Sequence, residues 1–140
     1  MKERVIEKVS SFPLRVYYED TDAGGIVYFA NYQKFFERAR TEWLRELGVD
    51  QSYYLEQNLG FVVRKAEMEY LASAKLDDLL NVVTEISELK KASVVFKQYL
   101  YNENEQLLCK TEALVVFVNL ERAKPCAIPD ELLGALKRVS

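Results

Sequence analysis

The sequence predicts an α+β fold in which an antiparallel five-stranded sheet is covered on one face by a single long helix. Three observations carry that expectation. A strand-like run near the start is followed by a long stripe of aromatic residues at helical spacing. Four further strand-like runs come after it. The connections between successive runs are short, which favours antiparallel neighbours. One helix cannot cover every edge and face of such a sheet, so self-association is expected.

Residues 12–19, "FPLRVYYE", read as the first strand, with Pro13 near its start, where a missing N–H is tolerated. The run "DTDAGG" then punctuates the chain. From 29 to 47, Tyr32, Phe35, Phe36, Ala39, Trp43 and Leu47 recur at spacings of three and four and form one apolar stripe. Lys34, Glu37, Arg38, Glu42 and Arg45 fall outside the stripe, and Gly48 supplies a helix stop. These aromatics read as core against a sheet. A short second helix is expected over 50–58.

In 61–72, Val62, Ala66, Met68 and Tyr70 alternate on one face, interrupted by Arg64. Residues 79–89 and 93–101 are rich in β-branched and aromatic residues. "NENEQ" at 102–106 is turn material leading into 107–118. There Leu107, Cys109, Ala113, Val115 and Phe117 line one face. Leu108, Leu114, Val116 and Val118 make the other face apolar too, which predicts an interior strand. Pro129, Asp130 and Glu131 open a short terminal helix, with acids at its positive end.

The 140 residues fit one domain spanning 1–140, and a hydrophobic content of 49% excludes a disordered chain. A net charge of -3 removes the electrostatic footprint of a nucleic-acid binder. The start "MKERVIEKVSSFPL" does not read as a signal peptide, and no run is apolar enough to span a bilayer. Two cysteines, Cys109 and Cys126, are too few for a disulfide scaffold and suit a reducing, cytoplasmic setting. There is no histidine. Ser-His-Asp and Cys-His nucleophile systems are thereby excluded, as are histidine-rich zinc sites. Acid–base work near neutral pH falls to a carboxylate, Lys, Tyr or Cys.

Attention therefore goes to Asp20 and Asp22, two residues apart and just before Gly24, Gly25 and a helix start. A calcium loop fails, because Gly24 stands where a third oxygen ligand belongs and Asn31 where a bidentate Glu belongs. No phosphate-loop pattern is present either. A plain turn, with aspartate bonding its own backbone, is one reading. The other is chemical. Unpaired N–H groups at the helix start can polarise a substrate carbonyl while a carboxylate attacks it or activates water.

The run "VYYEDTDAGGIVYFANYQKFFERARTEWL" resembles the hot-dog-fold acyl-CoA thioesterases. Within them it is similar to the 4-hydroxybenzoyl-CoA thioesterase family, and most to its Tol-Pal-associated branch. "FVVRKAEMEYLASAKLDDLL" at 61–80 continues the likeness. The resemblance implies a curved antiparallel sheet wrapped around the long helix. It also implies a homo-oligomer, a dimer or often a homotetramer, with active sites between subunits. Asp22 matches the catalytic aspartate. Asp20, with Gly24 and Gly25, matches the structural turn. The N–H that polarises the thioester carbonyl falls at Phe29, with Tyr28 beside it. Lys90 and Lys91 in "ELKKAS", together with Arg64, are the expected contacts to CoA. The chain departs from the family at Phe29, where the Tol-Pal-associated branch has histidine and the benzoyl-CoA enzyme tyrosine.

The expected activity is hydrolysis of a small or medium acyl-CoA, with no cofactor or metal. The alternative is a non-catalytic CoA-ligand-binding or scaffold protein of the cell-envelope Tol-Pal system. A hot-dog dehydratase fits less well, because those enzymes pair Asp with His.

Overall fold

The computed structural model of the protein describes residues 8–140. The start read for a leader thus lies largely outside the described residues. Strand β1 (Val9–Arg15) is followed by a 3-10 turn at Tyr18–Asp20 and the long helix α1 (Asn31–Glu46). Then come α2 (Gln51–Glu56), β2 (Leu59–Tyr70), β3 (Leu79–Leu89), β4 (Ser93–Tyr101), β5 (Leu107–Asn119), the two-residue β6 (Lys124–Pro125) and α3 (Asp130–Lys137). The five long strands lie in the order β1-β3-β4-β5-β2, all antiparallel, and β6 pairs with the end of β5. This is the hot-dog arrangement, a curled sheet around α1. Among the described residues no helix is long and apolar enough to cross a membrane.

Three local departures from the sequence reading have physical causes. The first strand ends at Arg15, because the Tyr17 N–H donates to the Asp20 carboxylate at 2.8 Å and turns the chain. Pro13 sits inside β1, which tolerates it as an edge strand paired on one side only. In β2 the register shifts between Val63 and Lys65, a bulge that absorbs Arg64. Across the bulge the alternation inverts. Phe61, Val63, Ala66, Met68 and Tyr70 stand opposite Phe117, Val115, Ala113, Thr111 and Cys109 of β5, on the helix side. Val62 therefore belongs to the other face, not with Met68 and Tyr70. Helix α1 stops where Gly48 adopts φ +84, the left-handed conformation of a C-terminal cap.

The core divides into two apolar clusters. Tyr32, Phe35, Phe36 and Ala39 of α1 pack with Val27, Leu80, Val82, Leu100 and Cys109. Trp43 and Leu44 pack with Val94, Phe96, Phe117 and the α3 residues Leu132 and Leu136. Burying side chains such as Phe35 and Phe36 contributes about 1.5–3 kcal/mol each. Between the clusters runs one polar row. Ser10, Thr84, Gln98 and Thr111 face one another across β1, β3, β4 and β5, and all four are buried. Gln98 Nε2 donates to Thr84 Oγ1 at 3.0 Å and to the Phe36 carbonyl of α1 at 2.9 Å. Gln98 Oε1 accepts from the Arg40 guanidinium at 2.8 Å. Each bond joins α1 or β3 to the middle strand.

Replacing Gln98 by Leu strands Thr84 and the half-buried Arg40, and should cost about 2–3 kcal/mol in urea unfolding. Gln98→Leu with Thr84→Val, which removes both neutral partners, should recover part of that loss. A second prediction concerns pH. Burial pushes the Cys109 thiol up to about 12. An unfolded cysteine ionises near about 8.5, so above that pH the unfolded chain binds fewer protons than the folded one. The stability is fully present below that pH and falls as pH rises toward 12, by at most about 1.4 kcal/mol per pH unit. Urea titrations at several alkaline pH values should show this fall, and Cys109→Ala should make it shallower.

Candidate active site

The site is built by the segment from Tyr17 to Asn31, and Asp20 organises it. Its side chain is 7% exposed and accepts the Tyr17 N–H. Its carbonyl accepts the Tyr28 N–H at 3.0 Å and the Asn31 side-chain amide at 2.9 Å. One residue thus fixes both ends of the loop, and helix α1 begins where Asn31 is held. Asp22 behaves differently. It is exposed, and its Oδ1 accepts the Gly24 N–H at 2.9 Å. Its Oδ2 has no hydrogen-bond partner among the described residues. The Gly25 N–H donates to the Asp22 carbonyl at 3.1 Å, and Gly25 has φ +76, so this turn requires a glycine there.

The loop after β2 clamps this turn from the other side. The Val27 N–H donates to the Ala74 carbonyl at 2.9 Å, and the Leu76 N–H to the Gly25 carbonyl at 3.1 Å. Tyr32 Oη accepts the Ala74 N–H at 3.0 Å. Between the two walls lies a cavity of about 410 Å3 whose lining includes Asp22, Tyr28, Phe29, Tyr32, Tyr70 and Ser73. The Tyr28 and Phe29 rings are 48% and 59% exposed, with centroids 4.9 Å apart. Phe29 meets Tyr70 edge-on at 6.1 Å, and Tyr70 meets Tyr32 at 5.5 Å. Burial raises the phenols of Tyr32 and Tyr70 above their ordinary value, so both remain protonated donors in the neutral range. Among the described residues the Phe29 N–H has no acceptor. Asp22, with one carboxylate oxygen unpartnered among the described residues, and Phe29, with its N–H unpartnered among them, therefore line one cavity. That pairing serves addition to a carbonyl carbon.

Asp22, Tyr28 and Phe29, named from the sequence, are thus brought together, with Asp20, Gly24 and Gly25 beneath them. Lys90, Lys91 and Arg64 are not brought to this cavity within one protomer. Lys90 lies in the β3–β4 hairpin and pairs with Glu88 at 3.3 Å. The Lys91 carbonyl accepts the Ile128 N–H at 2.8 Å. Both lie beside Leu89 and Ile128 of the second core cluster, whereas the cavity adjoins the first. Arg64 occupies the exposed bulge of β2. Sequence reading missed Tyr32 and Tyr70 as site residues and assigned both to apolar faces. For Tyr32 the available signal was its hydroxyl, since a buried phenol needs a partner; Tyr70, 44% exposed, carries no such signal.

The profile of the Thioesterase-like superfamily matches residues 16–136. The acyl-CoA thioesterase YbgC of Haemophilus influenzae is 53% identical over 126 residues, 89% of this chain and 92% of that protein. The acyl-CoA thioester hydrolase YbgC of Escherichia coli O6:H1 is 46% identical over 127 residues, 91% of this chain and 95% of that protein. The crystal structure of a probable thioesterase from Bartonella henselae superposes with a TM-score of 0.80 at 37% identity, covering 86% of this chain and 99% of the other. The chain belongs to the thioesterase-like superfamily and is a thioester hydrolase of the hot-dog fold. The two curated relatives place it beside the branch that its Val16–Leu44 segment resembles.

Because the Asp20 carboxylate accepts a main-chain N–H, Asp20→Ala should cost about 1–2 kcal/mol. Asp20→Asn keeps an acceptor oxygen and should recover most of that cost. Urea unfolding together with amide exchange at Tyr17 and Tyr28 measures both.

Proposed function

We propose that the protein hydrolyses the thioester of a small or medium acyl-CoA to the free acid and CoA. The observation that carries this reading is the unpartnered Asp22 Oδ2 on the cavity that also takes in Phe29, whose N–H is free. Two routes use the same groups. In one, Asp22 takes a proton from water as the water oxygen adds to the thioester carbon. Charge gathers on the carbonyl oxygen beside the Phe29 N–H; the intermediate then collapses, expels the CoA thiolate, and returns the proton to it. In the other, the Asp22 carboxylate itself adds and expels the thiolate, leaving a mixed anhydride; water then attacks its aspartyl carbon, releasing the free acid and regenerating the carboxylate with one water oxygen in Asp22. Tyr28, beside Phe29, borders the acyl group.

The resemblance supports a homo-oligomer, dimer or tetramer, and one feature of the fold agrees with it. β2 is an edge strand twelve residues long whose Val63 is 50% exposed. A partner there brings a second set of Arg64, Lys90 and Lys91 into play as CoA contacts. Two free cysteines suit the cytoplasm. A non-catalytic CoA-binding role is favoured by one observation only, that the Phe29 side chain offers no proton.

Asp22→Asn should lower turnover by at least about a thousandfold while unfolding like the parent. Release of free thiol across a panel of acyl-CoA chain lengths measures it. Normal hydrolysis by the variant removes Asp22 from the mechanism, and binding without turnover by the parent supports the non-catalytic role. A single turnover in labelled water separates the routes, because only the anhydride route leaves label in Asp22. A solution mass measurement gives the oligomer.

A further inference from the structure

The aromatic cluster at the cavity contains a hydrogen bond that the reaction scheme above does not use. Tyr70 is the last residue of β2, and its hydroxyl donates to the carbonyl of Phe29 at 3.2 Å. This bond crosses from the sheet edge to the start of α1, linking two walls of the same cavity. We propose that Tyr70 is a positioning residue for the proposed thioester hydrolysis. It holds the backbone of Phe29 so that the Phe29 N–H stays aimed at the substrate carbonyl. The inference rests on the assignment of that N–H as the polarising group.

The geometry around Phe29 supports this. The peptide before it, which carries the Phe29 N–H, is held at its carbonyl: the Tyr28 C=O accepts the Asn31 N–H at 2.9 Å, and the preceding Tyr28 N–H donates to the Asp20 carbonyl. The peptide after it is held by two groups, the Tyr32 N–H at a long 3.4 Å and the Tyr70 hydroxyl. The Phe29 N–H lies in the first of these planes, and the Tyr70 bond acts on the second; anchoring the second restrains φ and ψ at Phe29 and so steadies the N–H through the Cα. The Phe29 ring carries no hydrogen-bonding group to hold the backbone; the residue is 59% exposed and its ring meets the rings of Tyr28 and Tyr70. A donor held in place before the charge develops needs no reorganisation when the reaction occurs.

The Tyr70 hydroxyl is not forced into this bond by burial. The residue is 44% exposed, so water is an available partner. The ring itself is anchored independently, edge-on to Tyr32 and Phe29. Ring and hydroxyl therefore separate cleanly by mutation, since Tyr70→Phe removes the bond and keeps the packing.

The test combines kinetics with a direct view of the carbonyl. Tyr70→Phe should lower kcat about tenfold, the size expected for a misaligned donor. KM should stay within about twofold of the parent's, with an unchanged unfolding midpoint. The lost group does not titrate near neutrality, so the pH profile should keep its shape. The second measurement uses a 13C-carbonyl acetyl-CoA analogue with methylene in place of sulfur, which cannot be hydrolysed. Its carbonyl stretch should shift down on binding the parent protein, and by less on binding Tyr70→Phe. A wild-type kcat with an unchanged carbonyl shift overturns the proposal, and so does a loss confined to KM. Active Asp22→Asn would instead remove the aspartate mechanism and leave the carbonyl measurement on Tyr70 intact, so the two failures are distinguishable.

Discussion

The structure depends on where α1 sits over the sheet, and Gln98 fixes that position. A carboxamide buried at the centre of an apolar core is costly unless each of its groups is satisfied. Gln98 finds its partners only with α1 at one height, where Phe36 offers its carbonyl and Arg40 its guanidinium. Apolar contacts along the stripe from Tyr32 to Trp43 tolerate sliding; these directional bonds do not. A shift along the helix moves the Phe36 carbonyl and the Arg40 guanidinium away from Gln98 and leaves it only its bond to Thr84 within the sheet. The polar row thus works as a registration mark, and the apolar clusters on either side supply the stability. Its consequence lies two turns away, where the start of α1 is delivered to the end of β2 and the loop after it.

Once α1 is placed, the site follows from local chemistry in the Tyr17–Asn31 loop. The two aspartates separate by burial. Asp20 is enclosed and spends its carboxylate and carbonyl on main-chain donors and Asn31, so it is structural by geometry. Asp22 commits one oxygen to Gly24 and leaves the other facing the cavity. One anchored residue and one half-committed residue two positions on make an ordinary turn into an oriented carboxylate. The glycines divide too. Gly25 is required by its backbone conformation, whereas a Cβ at Gly24 would meet Asp22 Oδ1 at an ordinary 3.4 Å.

Much of this was legible in the sequence, and the limits have a common cause. Local signals worked. The bounds of β3 and β4 are those read from their β-branched runs, and the helical stripe named Tyr32, Phe35, Phe36, Ala39 and Trp43, all buried. Asp20, Asp22 and Phe29 could be singled out because their motif is contiguous. What failed depends on pairing between distant segments. The bulge at Arg64 is visible only against β5, so Val62 was placed on the wrong face. Thr84, Gln98 and Thr111 are unremarkable polar residues until the register of three strands lines them up. Tyr70 reads as one more strand aromatic until α1 is set beside it. Lys90, Lys91 and Arg64 were named through a family likeness, and within this chain they lie away from the cavity that Asp22 and Phe29 line.

The division of labour at the site also bears on Phe29, where the chain departs from its family. The groups that hold the loop carrying Asp22 and Phe29 include main-chain ones: the Asp20 carbonyl, the Gly24 N–H and the Tyr28 N–H and carbonyl. Such groups survive any substitution that preserves the local fold and is not proline. In the proposed reaction only the Asp22 side chain changes its bonding. In the proposed reaction, a chain built this way can carry phenylalanine where the family it resembles has histidine or tyrosine and still present a main-chain N–H at that position. The exchange changes what the cavity presents to the acyl group, an apolar ring against Tyr28 and Tyr70 in place of a polar one. Under the proposed reaction, variation at position 29 would act on acyl selectivity, while the constraints on catalysis would lie at Asp22, at Gly25 and in the bonds that hold the start of α1.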